Sequence, residues 1–326
     1  TGEAVGGRHV AYGDGVYRTD DGGKNWTNMG LRDSEHIARI IVSAEDSDVV
    51  YVAAQGPLWR EGGDRGFFKT TDGGITWKKT LGDDEWTGVT DIVVDPRDSN
   101  RVYAATWQHH RNVAAYMGGG PKSAIYRSDD GGESWKKLSS GLPGGSIGKI
   151  GLAISLQQPD VVYAVIELNR RAGGIYRSTD RGNSWERRSD DVSGATGPHY
   201  YQKLYASPHQ FDRIYLMDEY IRFSVDGGRS FTRVNIDFRH GDSHALAFKS
   251  SDPDYIMLGD DGGLYESFDQ AENWRFMGNL PVSQFYKVAV DDAEPFYNIY
   301  GGSQDSGTQG GPSRTDNLHG IQNSDW

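Results

Sequence analysis

Six copies of one short turn constrain this chain more than any other feature. Each reads Ser/Thr-x-Asp-x-Gly-x-x-Trp/Phe, at Thr19/Asp21/Gly23/Trp26, Thr70/Asp72/Gly74/Trp77, Ser128/Asp130/Gly132/Trp135, Ser178/Asp180/Gly182/Trp185 and Ser224/Asp226/Gly228/Phe231. A sixth copy, Ser267/Asp269/Ala271/Trp274, has alanine in place of glycine. Successive aspartates lie 51, 58, 50, 46 and 43 residues apart, the interval of architectures built from one supersecondary unit per repeat. The aspartate accepts hydrogen bonds from its own turn, the hydroxyl does so more weakly, and glycine supplies a positive φ. The aromatic residue begins the returning strand and is expected between neighbouring sheets. Six equivalent turns cannot all be one site, so Asp21, Asp72, Asp130, Asp180, Asp226 and Asp269 are read as structural turn locks rather than catalysts or metal ligands.

A second hairpin alternates with the first. Ile92-Val93-Val94-Asp95-Pro96-Arg97-Asp98-Ser99-Asn100-Arg101-Val102-Tyr103 shows it best, with related copies at 40–51, 152–163, 204–215, 246–256 and 288–300. With the inner strands named A and B and the aspartate-turn strands C and D, the order is C–D, five A–B–C–D units, then A–B. Four-stranded antiparallel meanders of about 45 residues without helical periodicity predict an all-β fold, a β-propeller. The two half-blades can pair to close a six-bladed ring, or each can be completed by residues outside this chain. Residues 1–302 are assigned to the propeller. The Gly-, Ser- and Asn-rich stretch 303–326 is read as a loop leading to a further strand or a second propeller.

Composition narrows the function. The 326 residues include 44 glycines and are only 36% hydrophobic, which suits short strands and tight turns. Forty-six acidic residues against 34 basic ones give a net charge of -12, which argues against nucleic-acid binding. Cysteine is absent, removing disulfides and thiolate chemistry. No apolar run approaches the roughly 18–20 residues that cross a bilayer. The chain begins Thr1-Gly2-Glu3 without Met, read as processing or truncation.

The A–B and C–D turns fall on one rim, and the B–C and D–A connections fall on the other. The long connections are where ligand recognition is expected. They carry Trp59, Trp86, Trp107, His109, Tyr116 and Tyr200, flat rings suited to stacking on sugar faces or gripping a peptide, or to packing between blades. His240, Asp242 and His244 alternate as strand neighbours on one face do and form a candidate divalent-metal or acid–base cluster, the alternative being the polar lining of a channel mouth. No cofactor is required. Asp242, Asp260, Asp261 and Asp305 are the carboxylates tested as glycosidase acid and base, although Asp before Gly-Gly is also an ordinary turn residue.

The six turns resemble the Asp-box (BNR) repeats of sialidases, two-propeller xyloglucan-cleaving glycosidases and sortilin-type receptor domains. The runs Tyr12-Gly13-Asp14-Gly15-Val16-Tyr17, His240-Gly241-Asp242-Ser243-His244-Ala245-Leu246, Gly259-Asp260-Asp261-Gly262-Gly263 and Gly301-Gly302-Ser303-Gln304-Asp305-Ser306-Gly307 resemble bacterial secreted proteins of glycosyl-hydrolase-like or sortilin (VPS10)-like type. That resemblance implies a seven-bladed propeller, a further propeller domain of the same protein, and a secreted, cell-surface or periplasmic location. It leaves two functions open. One is a non-catalytic module presenting rim loops to polysaccharide, protein or peptide. The other is a glycoside hydrolase using paired carboxylates. The Arg-Ile-Pro stretch of sialidases and the cysteine-rich modules of eukaryotic sortilins do not occur here.

Overall fold

In the computed structural model the described residues are all but 1, 8, 9, 170, 171, 195, 196, 198, 236, 238, 281–283, 306 and 326, with the side chains of 169 and 323 also outside the description. The chain forms two compact units, Thr1–Val234 and Asn235–Trp326.

The first unit opens with a hairpin, β1 (Tyr17–Arg18) and β2 (Thr27–Asn28). Four four-stranded antiparallel sheets follow. The first comprises β3 (Ile37–Val42), β4 (Val50–Ala54), β5 (Gly66–Thr70) and β6 (Lys78–Leu81) in sequence order. The second comprises β7 (Thr87–Asp95), β8 (Asp98–Gln108), β11 (Ala124–Ser128) and β12 (Lys136–Lys137), with the small hairpin β9 (His110–Arg111) and β10 (Tyr116–Met117) inserted between β8 and β11. The third is β13 (Ile150–Ile154), β14 (Val162–Asn169), β15 (Ala172–Ser178) and β16 (Glu186–Ser189). The fourth is β17 (Leu204–Ala206), β18 (Ile214–Leu216), β19 (Arg222–Ser224) and β20 (Thr232–Arg233).

The second unit holds a four-stranded sheet, β21 (Ser243–Lys249), β22 (Asp252–Asp260), β23 (Gly263–Ser267) and β24 (Arg275–Phe276). It also holds a three-stranded one, β25 (Phe285–Val290), β26 (Asn298–Ser303) and β27 (Thr308–Pro312). Among the described residues the only helix is one 3-10 turn, Asn323–Asp325.

The inner strands of the second and third sheets are apolar on both faces because each of these sheets has a neighbour on either side. Val162, Ala164 and Ile166 pack with Val93, Tyr103 and Ala105 of the preceding sheet, while the intervening Tyr163 and Val165 pack with Leu204, Ile214 and Leu216 of the following one. The period-two alternation of a strand thus feeds two separate cores. The same arrangement places Tyr51, Ala53 and Phe67 against Val89, Ile92 and Val102, and Val52, Ala54 and Phe68 against Val16 and Leu31 of the first hairpin. Each fully buried Val, Leu, Ile or Phe among them contributes roughly 1.5–3 kcal/mol.

The Asp turns close the outer hairpins. Thr70 Oγ1 donates to Asp72 Oδ1 (2.7 Å) and accepts from Gly74 N (3.0 Å). Asp72 accepts Thr76 N on Oδ1 (2.9 Å) and Thr76 Oγ1 on Oδ2 (2.6 Å). Ser128/Asp130 and Ser224/Asp226 repeat the pattern. These hydrogen bonds hold the Asp72 carboxyl down at about 2. Two of the turn aromatics reach outside their own sheet: Trp77 Nε1 donates to Met29 O (2.7 Å) and Trp135 Nε1 to Thr80 Oγ1 (3.1 Å), whereas Trp185 Nε1 donates to Gly182 O of its own turn (3.2 Å). Where the sixth copy has lost glycine, Ala271 still adopts φ of 77°, a conformation that costs an L side chain energy.

Candidate functional site

In each sheet the A–B and C–D turns share one end, so the B–C and D–A connections leave from the other. At that connection end of the first unit lie residues 2–7 and 10–12, bridged antiparallel to each other at Gly2 and Tyr12 and by Glu3 N to Ala11 O (3.0 Å). Side chains from three sheets hold the first segment by its backbone. Ala4 O accepts from Gln55 Nε2 (3.1 Å) and Lys149 Nζ (3.2 Å). Gly6 O accepts from Arg111 Nη2 (3.0 Å), and Gly6 N donates to His199 O (3.0 Å). Val5, Val10 and Leu58 are buried together, with Trp59, Tyr116 and Tyr200 against them. Gly6 fits only because it lacks a side chain, since a Cβ there would lie 2.6 Å from Tyr116 Oη and 3.3 Å from Trp107 Cη2.

Each holding residue stands where an inner strand meets the connection end. Gln55 directly follows β4, Lys149 directly precedes β13, and Arg111 lies in β9 just past β8. Lys149 is fully buried and also reaches the carbonyl oxygens of Tyr200 and Tyr201 (both 3.4 Å). Burial pushes its pKa down to about 7, with Lys203 adding to the effect and Asp91 and Glu167 opposing it. Burial likewise pushes Glu167 up to about 7.

The connection aromatics take three different places. Trp107 and His109 are buried, stacked on each other at 4.1 Å and 10°, because β8 runs on through Gln108 and carries Trp107 into the packed layer. Trp107 Nε1 donates to Gly118 O (2.8 Å), and burial holds His109 down at about 3. Neither ring is free to stack on an outside ligand. Trp59, Tyr116 and Tyr200 are half-buried against the segment, and the Arg111 guanidinium sits 4.3 Å from the Tyr116 ring centre. Buried Arg65 fixes the Trp59 loop by donating to the carbonyls of Pro57, Arg60 and Gly62. Trp86 is half-buried against His110, with ring centres 4.1 Å apart.

The second unit gathers the expected carboxylates differently. Asp260 is a turn residue: Oδ1 accepts from Gly262 N (2.9 Å) and Gly263 N (3.2 Å), and Oδ2 accepts from Arg239 Nη1 (3.2 Å). Both side chains of that ion pair are fully buried, and burial raises Asp260 to about 6. Asp261 points the other way, to His244 Nε2 at 2.7 Å, and His240 Nε2 faces Asp305 Oδ1 at 3.8 Å. Asp242 has φ of 56°, so the strand alternation expected to align His240, Asp242 and His244 is broken just before β21. The two histidines are split between two different aspartates, and among the described residues no group of three His, Asp or Glu side chains gathers as a metal site. The arrangement can support a His–Asp proton relay at Asp261.

Residues 14–165 match the family model described as Sortilin-Vps10, Sortilin, neurotensin receptor 3. An ancestral GH74 enzyme superposes with a TM-score of 0.62 at 15% identity, over 95% of this chain and 43% of that one. The fold is a β-propeller. Two further propellers share it. YCF48 bound to D1 peptide has a TM-score of 0.52 at 18% identity, covering 92% of this chain and 87% of that one. The extracellular domain of a putative one-component system from B. thetaiotaomicron has a TM-score of 0.53 at 13% identity, covering 95% and 37%. This chain spans 43% of the ancestral GH74 enzyme and 54% of the GH74 xyloglucanase from Xanthomonas campestris. No curated protein matches it.

Lys149, Gln55 and Arg111, which hold the segment, were not among the residues expected from sequence. Their signal was there in part: Lys149 heads the apolar run Ile150-Gly151-Leu152-Ala153-Ile154, and Gln55 ends Val50-Tyr51-Val52-Ala53-Ala54. A lone polar residue at the mouth end of an inner strand marks a group aimed inward.

Proposed function

We propose that this propeller is an extracellular peptide-binding module whose recognition surface is the connection end of the first unit. The observation that carries the reading is residues 2–7 themselves. Buried Lys149, Gln55 and Arg111 take the carbonyls of Ala4 and Gly6, while Val5 enters an apolar pocket beside Leu58. Backbone capture with one apolar anchor is how a site recognises extended peptide with little demand on sequence. The sortilin-type match over 14–165 and a peptide-bound YCF48 on the same fold support it. The extracellular domain sharing the fold supports the location.

The test displaces the resident segment. Gly6→Val introduces a Cβ that meets Tyr116 and Trp107, so the segment leaves while the sheets remain. The variant is expected to bind a synthetic peptide of residues 2–7 in trans, and adding Lys149→Met to it is expected to remove that binding. A folded Gly6→Val protein that binds no such peptide refutes the reading.

A glycoside hydrolase is the second reading, favoured by Asp260 held near 6 beside the His244–Asp261 pair. A polysaccharide hydrolysis screen comparing the native chain with Asp261→Asn decides it. Turnover abolished by the substitution supports the enzyme, and absence of turnover sinks it.

A further inference from the structure

Donors take the carbonyls of Ala4 and Gly6, and carbonyls are common to every peptide. The walls around the same backbone are not indifferent to sequence. Of residues 2–7, three are glycine, and each stands where a side chain would meet atoms already in place.

Gly2 holds φ of 72°, a left-handed backbone that L side chains adopt only at a cost. A Cβ there would collide with Glu35 O and lie 2.6 Å from Gly13 N. Those two atoms are backbone, joined by their own hydrogen bond of 2.7 Å, so neither gives way without breaking it. Gly7 is buried, and a Cβ there would lie 3.1 Å from Val10 Cγ1 and 3.2 Å from Tyr200 Cε2. The Tyr200 ring is backed by the buried Tyr201 ring, with centres 4.9 Å apart.

At Gly6 one atom decides. A Cβ would lie 2.6 Å from Tyr116 Oη, whereas the next nearest atoms, His199 O and Trp107 Cη2, stand at 3.3 Å. The Tyr116 ring is packed against the Arg111 guanidinium, 4.3 Å from its centre, and the His199 ring at 5.1 Å. Its hydroxyl is buried without a hydrogen-bond partner among the described residues. A buried, unpaired hydroxyl costs stability rather than adding to it. What this one does is fill the space a ligand side chain would need, and a clash with the wrong ligand discriminates as well as a contact with the right one.

The remaining positions are read differently. Glu3 is exposed, and Val5 is buried with Val10 and Leu58. Resting on the peptide reading above, we propose that the ligand class of this site is glycine-rich peptide of the pattern Gly-x-x-aliphatic-Gly-Gly. The Tyr116 hydroxyl is the group that enforces glycine at the fifth position.

The experiment uses the full chain carrying Gly6→Val, which displaces the resident segment, and the same chain carrying Tyr116→Phe as well. Each is titrated by calorimetry with the capped peptide of residues 2–7 and with versions holding a single alanine at Gly2, Glu3, Gly6 or Gly7. The parent peptide is expected to bind saturably, and the Glu3→Ala peptide within about twofold of it, since an exposed side chain contributes little. The Gly2→Ala and Gly6→Ala peptides should bind about tenfold or more weaker, and the Gly7→Ala peptide about three- to tenfold weaker, the effect of forcing a methyl into filled space. With Tyr116→Phe the loss at Gly6 alone should shrink to about threefold, because the nearest remaining atoms stand at 3.3 Å, while the losses at Gly2 and Gly7 persist. Should Gly6→Val fold poorly, Gly7→Val displaces the segment in its place. If the parent peptide binds and the alanine peptides bind as well as it does, or if Tyr116→Phe leaves the loss at Gly6 unchanged, this proposal is overturned and the peptide reading stands. If a folded protein binds no parent peptide, the peptide reading fails and takes this proposal with it.

Discussion

Replacing Lys149 by methionine isolates the group on which the peptide reading depends. Methionine keeps an unbranched apolar side chain but removes the ammonium. Tyr200 O and Tyr201 O lose this donor, and Ala4 O retains only Gln55. The loss of these hydrogen bonds costs roughly 1–3 kcal/mol. Against that stands the relief of no longer burying a charge, and this relief depends on pH. The native pKa is about 7 against an ordinary 10.5. Below pH 7 both folded and unfolded chains carry the proton, and the native state bears the full cost of burying it. Between pH 7 and 10.5 the unfolded chain keeps a proton the native state has shed, so native stability rises with pH. Each unit is worth about 1.4 kcal/mol, hence about 3 kcal/mol between pH 7 and pH 9. Lys203 and buried Asp91 remain in both proteins, so their contribution largely cancels in the difference. Glu167, raised toward neutrality, rises further once its neighbouring cation is gone and adds to the difference with the same sign. Urea unfolding of native and Lys149→Met proteins at pH 6, 7, 8 and 9, at constant ionic strength, measures it. The variant should be close to native in stability at pH 6 and fall progressively behind above pH 7. A stability difference that stays constant from pH 6 to 9 would refute the argument, because Lys149 would then keep its proton throughout.

Other outcomes follow from single residues. Ala271→Gly relieves a positive φ at a turn built for glycine and should raise stability by about 1 kcal/mol, read as a higher melting temperature. Leu152→Ala, fully buried between two sheets, should cost about 2–5 kcal/mol in denaturant unfolding. Asp260 is raised from 3.8 to about 6, so the folded state holds a proton that the unfolded state loses across that window. Stability of the second unit should therefore fall as pH rises from about 4 to 6, with the loss complete above that. Asp260→Asn should flatten this part of the melting-temperature profile.

The sheets were legible because a repeated turn fixes both ends of an outer hairpin and the intervening apolar runs supply the inner strands. The run Val162–Ile166 is apolar throughout because every residue there has a neighbouring sheet to face. The connection end was less legible. Trp107 and His109 looked like loop aromatics because Thr106 to Ser123 is long, yet β8 extends through Gln108 and buries both. The segment at residues 2–7 gave no periodicity at all. Its contacts are backbone carbonyls meeting Gln55, Arg111 and Lys149, more than 45 residues away in each case, and a backbone acceptor leaves no mark in the side-chain sequence. His240, Asp242 and His244 failed as a strand triplet because one left-handed residue, Asp242, interrupts the pleat.

The tryptophan bonds of the Asp turns bear on how such a chain changes over generations. Trp77 fastens its turn to Met29, and Trp135 fastens the next to Thr80, so each of the first two sheets brings the bolt for its own seam with what precedes it. A duplicated stretch of roughly one repeat therefore arrives with its joint already encoded, and a deleted one takes its joint away.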